Sequence, residues 1–160
     1  MSKHLTILTG FVGLLIGAFI YLTDRSPEST YFVSRHLYSV GEALHNTLPD
    51  CFGIFDKNMP SFIHTFSFTL ITGAFIGESK KSSILSATLW SVINLLFELG
   101  QYFDKFATHL IPDWFNRFTF LEALDGYFIA GTFDILDVVA IFLGALVGYL
   151  ILNLRLNYKK

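Results

Sequence analysis

Cysteine is almost absent from this chain: Cys51 is the only one among 160 residues. That excludes a disulfide framework and any zinc site built from several thiolates. Charge is scarce as well. Lys and Arg number 11 and Asp and Glu 13, together 15% of the chain, against about 25% in an average soluble domain. The formal net charge of −2 offers no basic surface, so nucleic acid is set aside as a partner. The sequence has no Gly-rich phosphate loop, no nucleophile elbow and no HExxH, and nothing calls for a cofactor or a metal. Internal repeats and low-complexity segments are also missing.

What is present is apolar. Hydrophobic residues make up 52% and aromatics 17%, with 18 Phe, and the mean hydropathy is +0.53. Such a chain is too hydrophobic for disorder or for an ordinary soluble domain. The expectation is an all-α fold: one membrane domain over residues 1–160, a bundle of four transmembrane helices with amphipathic interfacial helices on the outer side.

The spans are expected at about 5–22, 60–77, 84–103 and 134–152, each long enough for a bilayer core. The first, flanked by Lys3 and Arg25, competes with a cleaved signal peptide. It is long for a signal core, and residues 18–22 make a poor small-residue cleavage site, which favours an uncleaved anchor. Short links carry Lys3, Lys80, Lys81, Arg155, Lys159 and Lys160. Placing them in the cytoplasm puts both termini inside a plasma (inner) membrane and leaves the long segments 23–59 and 104–133 outside. Two stretches in those segments read as amphipathic helices. Residues 29–46 alternate Phe32, Leu37, Val40 and Leu44 with Arg35, Ser39, Glu42 and Asn46 at helical spacing. Residues 113–124 carry Trp114, Phe115, Phe118 and Phe120 among polar groups, the composition of a helix lying in the interface or of a cap packed on the bundle.

The polar residues inside the spans converge. Span two enters from outside, so His64 lies near the outer end. Span three exits there, bringing Glu98 and Gln101 to within about 8 Å of it, and span four begins there with Asp134 and Asp137, at 1.5 Å of rise per residue. Glu98/Gln101 and Asp134/Asp137 are i,i+3 pairs on single helix faces, and Asn94 extends the Glu98 face inward. A carboxylate facing lipid is costly. The faces should therefore turn together around a polar pocket walled by Phe66, Phe97 and Phe133. The competing reading is interhelical glue, worth about 0.6 kcal/mol per hydrogen bond. His64, Glu98 and Asp137 are the candidate acid–base groups, and the same set could bind a polar head. A proton relay would break at the inner half, which has no second ionisable group.

The spacing Gly13/Gly17 in span one and Gly144/Gly148 in span four permits close helix packing, expected between those two spans. Gly131 should allow a tight turn into span four. Cys51 reads as a buried small hydrophobe, and His45 and His109 as surface or interface residues.

In order, PSFIHTFSF (60–68), FELGQYF (97–103) and GTFDILDVVAIFLGALVGY (131–149) resemble the VanZ-like family of bacterial membrane proteins. The family pattern is a His on one span, ExxQ on the next, then DxxD leading into a glycine-bearing last span. His64, Glu98, Gln101, Asp134, Asp137, Gly144 and Gly148 match it, and the resemblance covers roughly residues 60–152. Two departures are Thr132, where the family usually has Arg, and Ile141, where it usually has Asn, so the ligand should differ. The resemblance implies a role at the cell envelope. The leading expectation is a binder of an envelope lipid or lipid-linked intermediate, through His64, Asn94, Glu98, Gln101, Asp134 and Asp137. Alternatives are an intramembrane hydrolase or transferase, and an accessory subunit with a membrane-protein partner.

Overall fold

A computed structural model describes residues 2–119, 121–122 and 124–157, the side chains of Phe32 and Asn157 excepted. Phe120, Lys159 and Lys160, used in the reading above, lie outside the described residues. Among the described residues the regular structure is entirely helical. Four helices are long and apolar enough to cross a membrane: α1 (Lys3–Thr23), α4 (Met59–Ile76), α5 (Lys80–Tyr102) and α8 (Ile135–Asn157). Shorter helices α2 (Tyr31–His36) and α3 (Tyr38–Thr47) fill the α1–α4 connection. Helices α6 (Asp104–Leu110) and α7 (Leu124–Ala130) fill the α5–α8 connection. Both connections lie at one end of the bundle, called here the capped end. The short link between α4 and α5 lies at the other.

The four helices are long for local reasons. The Ser2 hydroxyl caps α1 by accepting from the Leu5 N–H at 3.2 Å, and Ser79 caps α5 by accepting from Ser82 at 3.0 Å, each satisfying an orphan donor. Gly77, at φ 146°, stops α4 in a conformation that side chains resist. α5 therefore starts at Lys80, earlier than its apolar run. Likewise α8 continues past the apolar run because Arg155, only 2% exposed, is paired with Glu78 on the α4–α5 link.

Helix α4 is the centre. It packs against α1, α5 and α8, with α5 and α8 also in contact. The interior is rich in small and hydroxyl residues: Gly13, Gly17, Thr65, Ser67, Thr69, Gly73, Ala74, Ser86, Gly144 and Gly148 are buried, together with a few aliphatics such as Ile20, Leu70 and Ile141. Large apolar side chains point outward instead, among them Phe11, Leu15, Leu89, Phe142, Leu146 and Leu154. This arrangement suits a bundle whose solvent is hydrocarbon, where close backbone approach rather than apolar burial drives packing. Some buried hydroxyls bond back one turn, as Thr65 does to Ser61 O at 2.9 Å and Ser86 to Ser82 O at 2.8 Å, whereas those of Ser67 and Thr69 have no partner among the described residues.

Both glycine pairs pack on α4, which corrects the expected pairing of spans one and four. A Cβ on Gly17 would meet Ile63 at 3.2 Å, and one on Gly13 would strike the Ser67 hydroxyl. One on Gly144 would strike the Phe62 carbonyl, and one on Gly148 would meet Thr69 at 2.9 Å. The small residues that line α4 on two sides let it accept a neighbour on each.

The capped end departs from the amphipathic pattern. Residues 29–46 form two helices instead of one, broken at Leu37 with φ −133° and ψ 22°. The expected helix over 113–124 is a short 3-10 turn, Asp113–Arg117. Its aromatics cluster among themselves, Trp114 with Phe115 at 4.4 Å and with Phe118 at 6.0 Å. Asn, Thr and aromatic residues are weak helix formers, and this ring cluster satisfies them locally. Beyond it, Tyr31 donates to Glu122 O at 2.7 Å and Arg35 to the Glu122 carboxylate at 2.7 Å. These bonds tie the two connections together.

Candidate functional site

The capped end encloses a cavity of about 240 Å³ lined by Tyr21, Ser61, His64, Asn94, Phe97, Glu98, Tyr127 and Ile141. Five helices contribute. Tyr21 stands in the last turn of α1 and Ser61 in the first turn of α4, with His64 one turn further in. Glu98 is four residues from the end of α5, and Asn94 one turn deeper. Tyr127 comes from α7, and Ile141 from α8. Antiparallel neighbours bring helix starts and helix ends to one level, which is why residues so far apart in sequence meet.

The aromatic wall is continuous. The Tyr21 and His64 rings are stacked at 6.0 Å, and Phe97 meets Tyr127 edge-on at 5.8 Å. Phe97 also stacks on Phe128 at 5.9 Å. A Cβ at Gly100 would strike the Phe128 ring, so glycine there lets α7 seat against α5. Asn94 donates to Trp90 O at 2.8 Å, which leaves its carbonyl oxygen available to the cavity.

The acidic residues sort into two kinds. Glu98 is 7% exposed, and its Oε2 is buried without a hydrogen-bond partner, as is Oδ1 of Asp137. The two carboxylates lie within electrostatic reach of each other and of Tyr21 and Tyr127. Asp134 has a structural task. It caps α8 by accepting from the Leu136 N–H at 2.8 Å and accepts from Asn58 Nδ2 at 3.3 Å. Gln101 is likewise engaged, reaching the Tyr127 hydroxyl and packing against Gly131. Gly131 thus provides room for Gln101, and its φ is not positive, which corrects the expected glycine turn.

Of the six residues expected to contact a ligand, His64, Asn94 and Glu98 line the cavity, and Asp137 is not a lining residue but lies within electrostatic reach of Glu98, Tyr21 and Tyr127. Asp134 and Gln101 support its walls. Phe66 and Phe133 are not lining residues; Phe66 packs by Gly13 and Gly144 and Phe133 against Tyr102 at 5.5 Å. Cys51 is exposed, its thiol donating to Pro49 O at 3.3 Å, contrary to the expected burial. His109 is exposed, while half-buried His45 holds Thr23 O at 2.6 Å. Among the described residues no group of three His, Cys, Asp or Glu could hold a metal ion.

Sequence reasoning missed Tyr21, Ser61 and Tyr127. The first two were legible as polar residues at the same end of their spans, Ser61 at i−3 from His64. Tyr127 sits on a seven-residue helix within a long connection and carries no periodic signal. Arg25 was also overlooked. Its guanidinium lies over the Tyr21 ring, 4.9 Å from the centroid, and donates to the carbonyls of Asp56, at 3.2 Å, and Lys57. A cation therefore stands beside the cavity although Thr132 supplies none. Next to it, Asp24 accepts from the Phe52 and Cys51 N–H groups at 2.7 and 3.1 Å, fixing the loop that precedes α4.

Fold and site define a four-helix bundle of membrane-crossing length with an acidic, aromatic-walled cavity at one end. No family model matches the chain, and no curated protein or solved structure matches it.

Proposed function

We propose that the chain is a VanZ-like integral membrane protein of the bacterial cell envelope. In this reading it binds the head of an envelope lipid or lipid-linked intermediate in the cavity at its capped end. The carrying observation is the pair of buried carboxylate oxygens without partners, Glu98 Oε2 and Asp137 Oδ1. A buried acceptor left unpaired costs about 1–3 kcal/mol, and more when charged. Ionisable groups inside a membrane are functional by default.

Charge asymmetry supports an orientation with the capped end outside, in a plasma (inner) membrane, and both termini in the cytoplasm. Lys3, Lys80, Lys81 and Arg155 all stand at the opposite end, in agreement with the positive-inside tendency. The cavity then opens in the outer leaflet. Exposed Ile54, Phe55, Phe106, Leu110, Trp114 and Phe118 on the cap would lie among lipid headgroups, where aromatic and aliphatic residues anchor.

The test is lipid retention by the purified full chain. Glu98→Gln and Asp137→Asn should leave a folded protein that no longer co-purifies with lipid. Unchanged bound lipid rejects the proposal. An enzymatic reading has one observation in its favour: His64, Ser61 and Glu98 face one cavity, a general acid–base arrangement suited to hydrolysis or group transfer. Turnover of an envelope lipid, lost on Glu98→Gln, would promote it.

A further inference from the structure

We propose that the cavity takes an ammonium group and that Arg25 takes the phosphate attached to it, so that the ligand is a phosphoethanolamine-type headgroup. The proposal rests on the lipid-binding reading above and names its chemistry. Glu98 is 93% removed from solvent by its 7% exposure, and its free Oε2 belongs to a residue lining the cavity. Its position makes the charge harder to hold. Glu98 is in the last turns of α5, where the helix dipole disfavours an anion, and Asp137 adds a like charge. None of the lining residues is Lys or Arg. Unpartnered Glu98 Oε2 in the wall and Asp137 Oδ1 within its electrostatic reach, with no Lys or Arg in the lining, make a receptor for a cation.

The walls select the kind of cation. Tyr21, His64, Phe97 and Tyr127 surround the space with rings, and faces of aromatic rings attract ammonium groups within about 6 Å of the centroid. Ser61 and the Asn94 carbonyl can accept hydrogen bonds from a primary ammonium. Arg25 completes the match. It lies one turn beyond Tyr21 and over that ring, and a guanidinium pairs well with phosphate. A zwitterion whose ammonium and phosphate are separated by two carbons and an ester oxygen would satisfy both ends.

The experiment reconstitutes the full chain in nanodiscs of mixed phosphatidylethanolamine and phosphatidylglycerol. Retained lipid is read by native mass spectrometry, and soluble phosphoethanolamine is titrated in parallel. The amine lipid should be retained at least about tenfold over the glycerol lipid, the range of one charged hydrogen bond. Glu98→Gln and Asp137→Asn should erase that preference, and Arg25→Gln should weaken retention of both lipids. The headgroup comparison on the unaltered chain decides the matter even if a variant fails to fold. Equal retention of both lipids overturns the ammonium assignment and leaves the lipid reading standing. No retained lipid, with Glu98-dependent binding of soluble phosphoethanolamine, keeps the headgroup chemistry and overturns the lipid source. No binding of either overturns both.

Discussion

Replacing Glu98 by Gln should stabilise the ligand-free protein. The carboxylate is 7% exposed, one of its oxygens has no partner, and the Asp137 carboxylate repels it. Gln keeps the size and removes the charge that Asp137 repels. Relief of an unpaired buried acceptor is worth about 1–3 kcal/mol, and the unfavourable helix end adds about 0.3–1 kcal/mol. Taking about 1–3 kcal/mol as the net, Tm should rise by roughly 2–12 °C for a chain of this size. The assay is thermal unfolding in lipid-free detergent, followed by the fluorescence of Trp90 and Trp114. Asp137→Asn should gain less, because Asp137 stands in the first turn of α8, where a negative charge is favoured. Adding phosphatidylethanolamine should raise Tm for the unaltered chain and not for Glu98→Gln, since only a ligand that binds the native state stabilises it. A lower Tm for Glu98→Gln in detergent would refute the reasoning. It would show that the carboxylate is held by bonds worth more than its burial costs, which is the behaviour of interhelical glue.

The close helix contacts should respond unequally to added methyl groups. Gly144→Ala drives a methyl into the Phe62 carbonyl, which is backbone, whereas Gly13→Ala meets the rotatable Ser67 hydroxyl. The first should cost about 1–3 kcal/mol or more and the second less, as read by thermal unfolding. Asp24→Ala removes the acceptor of the Cys51 N–H and leaves the Phe52 N–H only the Asp50 carboxylate at 3.2 Å, and hydrogen exchange should speed up over residues 49–56 while the helix interiors stay protected. At the surface, the Tyr38 hydroxyl donates to Glu28 at 2.7 Å and holds that carboxyl below its ordinary range. A depressed carboxyl adds stability above its unfolded pKa and loses it as pH falls through the folded value. Tyr38→Phe should therefore raise the Glu28 titration midpoint, measured by NMR.

The helices were legible because two signals coincide in each: an apolar run and a cap or glycine at its edge. Polar convergence was legible too, since antiparallel spans place His64 near the start of one helix and Glu98 near the end of the next. The division of labour among the acids was not. Asp134 and Asp137 are equivalent in sequence spacing, and only the start of α8 at Ile135 turns Asp134 into a cap. The glycine partners were misread for a related reason. GxxxG marks a close approach without naming what approaches, and α4 proved to be the common neighbour because Ser67, Thr69 and Gly73 keep it slender. Tyr127 and Arg25 lay in connections, where position depends on tertiary contacts that periodicity does not encode.

The two ends of the bundle handle buried charge in opposite ways, and the contrast separates function from packing. Away from the cap, Arg155 is 2% exposed yet paired with Glu78. It closes α8 onto the α4–α5 link with its charge compensated, as a structural ion pair requires. At the capped end, the acid that needs only to hold structure, Asp134, is also satisfied by Leu136 and Asn58. Glu98 and Asp137 differ in that, among the described residues, one buried carboxylate oxygen of each, Oε2 and Oδ1, has no hydrogen-bond partner and neither acid has a basic side chain in an ion pair with it. A fold that compensates charge at both ends has the means to do so for them as well. The proposed ammonium group would satisfy the two carboxylate oxygens left without partners at this aromatic wall, which no neighbouring helix satisfies.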